Sequence, residues 1–193
     1  SHTGSGTILV KNKKQLEDIK DKFPLRETRI AQYVKGPLFT NNNIIWNDKI
    51  LLGNISYQIT GLKPFTDLEF ATIGNDWALP AKILNDKQIK QYYKITKEIG
   101  EKMKKDGWQG LYGVDIVMDE KSGELFLLEI NARQPASTSF ESTLQRSHKR
   151  NKSVTTFEAH LAALLKIKYI DENLVEIDNG AQIILRVNNK TIN

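Results

Sequence analysis

The chain of 193 residues is 39% hydrophobic and 26% charged, with a formal charge of +5, a composition that supports a globular protein with one core or two small lobes. It has no cysteine and three histidines, His2, His148 and His160, which excludes disulfides, thiolate metal sites and a cysteine nucleophile. No apolar run reaches the length of a membrane span, no signal pattern opens the chain, and the lysines are scattered, so the expectation is a cytoplasmic protein without a nucleic-acid or membrane partner.

In chain order, Ser1 to Thr7 (SHTGSGT) fits either a loose terminus or a loop whose small residues let backbone amides approach an anion. Ile8 to Val10 reads as a short strand. Lys13 to Lys22 places Leu16 and Ile19, with Phe23 beyond, on one helical face, and Pro24 stops the helix. Arg29 to Val34 (RIAQYV) reads as a strand ending at Gly36-Pro37. Phe39 to Trp46 and Lys49 to Ile59 predict a hairpin around Asn47-Asp48. Gly61 to Pro80 lacks a clean period and predicts a long, functional or mobile loop.

Asn85 or Asp86 caps a helix expected over Asp86 to Asp106, in which Ile89, Tyr92, Ile95, Ile99 and Met103 recur at helical spacing and Gly107 ends the run. Lys102, Lys104 and Lys105 complement the negative end of its dipole. Gln134 to Ser139 is rich in small hydroxyl residues that suit a helix start. Thr155 and Glu158 form a capping-box pattern before Phe157, Leu161, Leu164 and Leu165, predicting a buried helix in which His160 is structural or exposed. Ala181 to Val187 is a final strand.

The most informative stretch is Gly110 to Arg133, GLYGVDIVMDEKSGELFLLEINAR. A three-residue turn, Lys121-Ser122-Gly123, places Glu120 against Glu124 and Asp115 against Glu129. That register sends Val114, Ile116, Met118, Ile130, Leu128 and Phe126 to one face, and Gly113, Asp115, Val117, Leu127, Glu129 and Asn131 to the other. Two carboxylates and an amide oxygen gather at the end away from the turn. Such a set suits a hard divalent cation shared with phosphates, and Arg133 adds a planar cation for a phosphate or carboxylate. A wet polar face on a surface hairpin has the same pattern.

The run GVDIVMDEKSGELFLLEINAR resembles the metal-binding end of the ATP-grasp superfamily. The resemblance implies an α+β fold of antiparallel sheets with packed helices. Asp115, Glu129 and Asn131 fall on its Mg²⁺ ligands and Arg133 on its phosphate- or substrate-binding arginine, the expected catalytic residue. Thr3, Gly4, Ser5 and Gly6 fall on the mobile glycine-rich loop, and Gln32, Tyr33 and Val34 on the strand between lobes that meets adenine. Residues 1–36 are then part of a nucleotide-binding lobe and 37–193 the C-terminal lobe. The family's lysine-bearing strand and preceding domain have no counterpart here, so the chain is expected to be the C-terminal part of a longer enzyme.

The implied activity is ATP-dependent ligation with Mg²⁺. A small-molecule carboxylate is activated as an acylphosphate and captured by an amine, giving an amide or peptide bond. Two other outcomes stay open: a nucleotide-binding module inactive by itself, and a carboxylase or carbamoyl-phosphate type of enzyme acting on bicarbonate.

Overall fold

The computed structural model describes residues 6–148, 152–168 and 173–184. Helix α1 (Lys13–Lys22) matches its expected span, and the Asn12 side chain accepts from the Gln15 amide at 3.0 Å. None of its residues is buried, however, so Leu16 and Ile19 do not enter the core. Residues 8–10 and 29–34 form no strand. An apolar run becomes a strand only where a neighbour pairs with it, and Ile30 is 73% exposed.

Strand β1 (Leu38–Trp46) is the spine of the sheet. It forms the expected hairpin with β2 (Lys49–Leu51), but the second arm breaks before resuming as β3 (Ser56–Thr60), which pairs with the start of β1. The break has a cause in the sequence. The amides of Asn41 and Asn43 exchange hydrogen bonds at 2.8 Å in both directions, and Asn43 Oδ1 accepts from the Gly53 amide at 3.0 Å. This side-chain ring takes the place of a ladder and pins the bend.

The stretch expected as a loop from Gly61 to Pro80 contains a strand, β4 (Thr72–Asp76), paired with β3. The Asp76 carboxylate then accepts from the Ala78 and Leu79 amides, turning the chain into α2 (Pro80–Ile83). Helix α3 (Asp86–Lys105) follows, with Asn85 and Gln88 closing a capping box. Next come β5 (Gly110–Met118), β6 (Leu125–Asn131), α4 (Thr138–His148), β7 (Ser153–Val154), α5 (Thr156–Leu164), β8 (Asn173–Leu174) and β9 (Ala181–Ile183). The expected final strand continues to Val187, and its last residues lie outside those described.

Seven strands form one antiparallel sheet in the order β6-β5-β1-β3-β4-β9, with β2 beside β1. Helix α3 packs one face through Tyr92, Ile95 and Ile99 against Phe39, Tyr112, Val114 and Ile116. The other face carries α5, whose Ala159 and Ala163 meet Ile44, Trp46 and Leu111. The result is an α+β fold with helices on both sides of an antiparallel sheet.

Helix α5 has the expected capping box, yet its orientation is the reverse of the expected one. Thr156, Ala159 and Ala163 are buried, while Phe157, Leu161, Leu164 and Leu165 are exposed. Small residues let the helix approach the sheet closely, and the large ones then fall outside. His160 is structural, its Nδ1 accepting from the Leu111 amide at 3.1 Å, and burial lowers its pKa.

Candidate functional site

The hairpin of β5 and β6 pairs Asp115 with Glu129, Val114 with Ile130 and Gly113 with Asn131. The route to that register differs from the expected one. Asp119, rather than Glu120, faces Glu124 across the turn, and the Asp119 carboxylate accepts from the Lys121 and Ser122 amides at 3.0 and 2.7 Å. Gly123 closes the turn at φ +72, a conformation that suits glycine. The longer turn shifts the pairing by one residue, and a bulge between Leu127 and Glu129 shifts it back. Leu128 is the extra residue.

This bulge redistributes the side chains of β6. Phe126 pairs with Val117 and Leu127 with Ile116, so their expected faces are interchanged, whereas Glu129 and Asn131 remain on the face of Asp115. The expected burial of Phe126, Leu128 and Ile130 does not occur: they are 40%, 45% and 41% exposed. As the edge strand, β6 has a neighbour on one side only. Bulges are common at such edges, where they re-aim side chains.

Asp115 lies on the face opposite α3, because its neighbours Val114 and Ile116 both enter the α3 core. Burial, more than any other cause, raises its pKa, and Glu129 across the ladder adds a like-charge push. Thr40 from β1 and Gln58 from β3 oppose the rise by bonding to the ionised carboxylate. The Thr72 hydroxyl bonds to Gln58 Oε1 at 2.9 Å, leaving the Gln58 amide nitrogen for Asp115.

Asn131 donates from Nδ2 to Asp115 Oδ2 at 3.2 Å, while its Oδ1 accepts from Arg133 Nη2 at 2.9 Å. The amide nitrogen therefore faces the carboxylate and the oxygen faces the arginine. A cation held between these groups requires the amide to turn over. Arg133 is exposed, and its other nitrogen, Nη1, reaches the Gln134 carbonyl at 3.4 Å. The segment carrying it crosses β5 at Gly113, where an added Cβ would lie 2.9 Å from Pro135 Cγ and 3.4 Å from Asn131 Cβ. Any side chain there would lift the arginine segment from the sheet.

The small residues after Arg133 are a helix start. The Thr138 hydroxyl donates to the Pro135 carbonyl at 2.8 Å, and Ser137 and Thr138 are both buried. Of the expected glycine-rich loop, Thr3, Gly4 and Ser5 lie outside the described residues, and Gly6 is exposed at their start. A groove of about 410 Å³ separates residues 7–11 from Asp67–Phe70. Gln32, Tyr33 and Val34 are extended without a strand partner, and Tyr33 packs edge-on against Phe70. They lead into Lys35 and Pro37, whose carbonyls accept from the Glu120 and Met118 amides at the turn end of the β5–β6 hairpin.

Sequence reasoning missed the supports beneath these residues. Thr40 and Gln58 carry no motif, and only the pairing of Thr40 with Asp115 brings them into the site. Asn42 was equally unmarked, yet its Nδ2 bonds to Ser137 Oγ at 3.1 Å and to Glu141 Oε2 at 2.6 Å. Three successive asparagines on an otherwise apolar strand were the available signal, because buried amides require partners.

The overall arrangement is that of a portion of the ATP-grasp fold, as overlays with solved structures show. The chain overlays an N5-carboxyaminoimidazole synthetase from Staphylococcus aureus complexed with ADP at a TM-score of 0.60, with 15% identity, covering 88% of this chain and 40% of that one. An L-amino acid ligase from Bacillus licheniformis gives a TM-score of 0.54, 21% identity, and coverage of 80% and 36%. A Thermotoga maritima N5-carboxyaminoimidazole ribonucleotide synthetase gives 0.55, 17%, and coverage of 89% and 39%. The chain thus spans about two-fifths of the length of such structures. No family model and no curated protein sequence matches it. At these identities the likeness defines the fold.

The donor set fits a divalent cation. Among the described residues no three His, Cys, Asp or Glu side chains form a metal cluster, so the site amounts to two carboxylates and one amide. Oxygen donors of this kind suit Mg²⁺, which keeps several waters and shares its remaining positions with phosphates. Burial, with a lesser push from Glu129, raises the pKa of Asp115, so its ionised form gains from a neutralising charge.

Proposed function

We propose that the chain binds a magnesium nucleotide across the exposed face of the β5–β6 hairpin and belongs to an ATP-dependent ligase that activates a carboxylate for attack by an amine. The observation carrying this reading is the direct pairing of Asp115 with Glu129, one partly buried and one exposed, on the face that also holds Asn131 and Arg133.

In this mechanism Asp115, Glu129 and Asn131 hold Mg²⁺, which when bound neutralises charge on the nucleotide phosphates. Arg133 orients the transferred phosphoryl group and balances its charge. Thr40 and Gln58 hold the Asp115 carboxylate by hydrogen bonds that favour its ionised form against the effect of burial, and Gly113 keeps the arginine segment low on the sheet. No side-chain nucleophile is required, since phosphoryl transfer depends on positioning and electrostatics. The carboxylate oxygen forms a bond to the γ-phosphorus as the bond to ADP breaks, and the amine then displaces phosphate. Gln32 to Val34 and the glycine-rich stretch around Gly6 are proposed to meet the adenine and phosphates, as parts of the first lobe.

Titration calorimetry with Mg²⁺ and ADP tests the binding reading. Micromolar to millimolar affinity that disappears with EDTA and in Glu129→Ala is the expected result; metal-independent affinity, or none, overturns it. ADP release across a panel of carboxylates, bicarbonate and amines, using the full-length protein, separates amide formation from bicarbonate chemistry. A nucleotide-binding module without turnover is the second reading, and Mg–ADP binding with no ADP release across that panel would support it.

A further inference from the structure

The Arg133 guanidinium is held to the sheet only through Asn131, the last residue of β6. Among the described residues its hydrogen bonds go to Asn131 and Gln134, both within its own segment. Its position therefore follows that of residues 131–137. One end of this segment is fixed by the pairing of Asn131 with Gly113. The other end meets a fully buried carboxylate, Glu141, in the first turn of α4.

Glu141 Oε2 accepts from Asn42 Nδ2 at 2.6 Å, and the same nitrogen bonds to Ser137 Oγ at 3.1 Å. Glu141 Oε1 accepts from Asn54 Nδ2 at 3.4 Å. Asn54 is itself fixed, donating to the Val175 carbonyl and accepting from the Ile177 amide, both at 3.0 Å. The Glu141 backbone amide donates to the Ser137 carbonyl at 2.9 Å. The carboxylate thereby joins α4 to β1 and to the bend after β2, and Asn42, which it holds, carries the link on to Ser137 at the end of the arginine segment.

We propose that Glu141 is a positioning residue for Arg133, holding residues 131–137 against the sheet through Asn42 and Asn54. Burial pushes its carboxyl up to about 7, with both asparagines opposing the rise. A buried carboxylate is costly where an apolar residue would pack without that cost. Its retention at the junction between sheet and arginine segment fits a geometric role. The inference rests on the reading that Arg133 meets nucleotide phosphates.

The test uses the whole chain, with Glu141→Ala, Glu141→Gln and, as a packing control in α3, Ile95→Val. Amide hydrogen exchange reports on residues 132–138 without nucleotide, and calorimetry gives the affinity for Mg–ADP. In Glu141→Ala, exchange over 132–138 rises about tenfold or more, as expected for local opening of an unpinned segment. Mg–ADP affinity falls about tenfold, the scale of a lost supporting contact. Glu141→Gln, which keeps an acceptor oxygen for Asn42, restores both to within about threefold, and Ile95→Val changes neither. A folded Glu141→Ala with unchanged exchange over 132–138 overturns the proposal. So does a failure of glutamine to rescue. Absence of Mg–ADP binding in the parent chain removes the nucleotide reading, while the exchange comparison still decides whether Glu141 pins the segment. If Glu141→Ala does not fold, Glu141→Asp withdraws the carboxylate by one methylene and carries the same expectations.

Discussion

Strands β5 and β6 are neighbours of similar apolar content, each contributing one carboxylate to the site, yet they occupy different environments. Eight residues of β5 between Gly110 and Val117 are buried or half-buried, whereas β6 from Phe126 to Ile130 is exposed throughout. The difference is position in the sheet. Strand β5 has a partner on each side and meets both α3 and α5, while β6, which also meets α3, is an edge among the described residues. The proposed site therefore pairs a desolvated carboxylate, Asp115, with a solvated one, Glu129. In that proposal the first would supply a fixed reference and the second the freedom to adjust to a cation.

The largest break in this comparison comes from the core. Ile116→Ala should cost about 2–5 kcal/mol in urea unfolding, as buried truncations do, whereas Leu127→Ala, its cross-strand partner at 44% exposure, should cost less than about 1 kcal/mol. Equal losses would mean that something covers β6 in solution.

At the site the two strands should instead act together. Asp115→Asn and Glu129→Gln are each expected to lower Mg²⁺-dependent ADP affinity about a hundredfold, because each removes one charged ligand. Calorimetry with and without the metal checks this. An effect confined to one carboxylate would show that the other is only a solvated surface group.

The two positions should separate again in metal-free stability as a function of pH. The folded-state pKa of Asp115 is raised, so the native state holds its proton more tightly than the unfolded chain. Its favourable contribution is full below the unfolded pKa and is lost as pH rises through the folded value. Asp115→Asn should therefore stabilise the metal-free protein relative to the parent above that value, with the advantage shrinking in acid. Thermal denaturation at several pH values in EDTA checks the sign, and Mg–ADP should reverse it.

The smallest expected effect concerns the bulge. Deleting Leu128 leaves Asp115 opposite Glu129 when the turn runs from Asp119 to Glu124, so Mg–ADP affinity should change only about threefold, the cost of altered strand twist. With the shorter turn suggested by the sequence, the same deletion would move Glu129 out of register and remove metal-dependent binding.

Much of the local structure was legible in the sequence. The spans of α1 and α3 and the caps at Asn85 and Thr155 follow from periodicity and capping chemistry, whereas the opposition of Asp115 and Glu129, expected from a turn one residue shorter than the one formed, is met only because the bulge at Leu128 makes up the difference. Strand β4 was missed because five residues among turn-rich neighbours carry little pattern, and its identity depends on pairing with β3 and β9. The exposed side of α5 was misplaced because apolarity runs all around that helix, so size rather than hydrophobicity selected Ala159 and Ala163 for the interface.

By itself, then, the sequence determined which residue types could meet a cation and phosphates, since chemistry and alternation are local properties. Only the tertiary structure decided that β6 is an edge among the described residues, that a bulge restores the register lost at the turn, that Thr40 and Gln58 reach Asp115, and that Asn42 bonds to Glu141. Those contacts join residues as far as 99 positions apart. No spacing rule reaches that distance, and the packing of strands and helices is what brings them together.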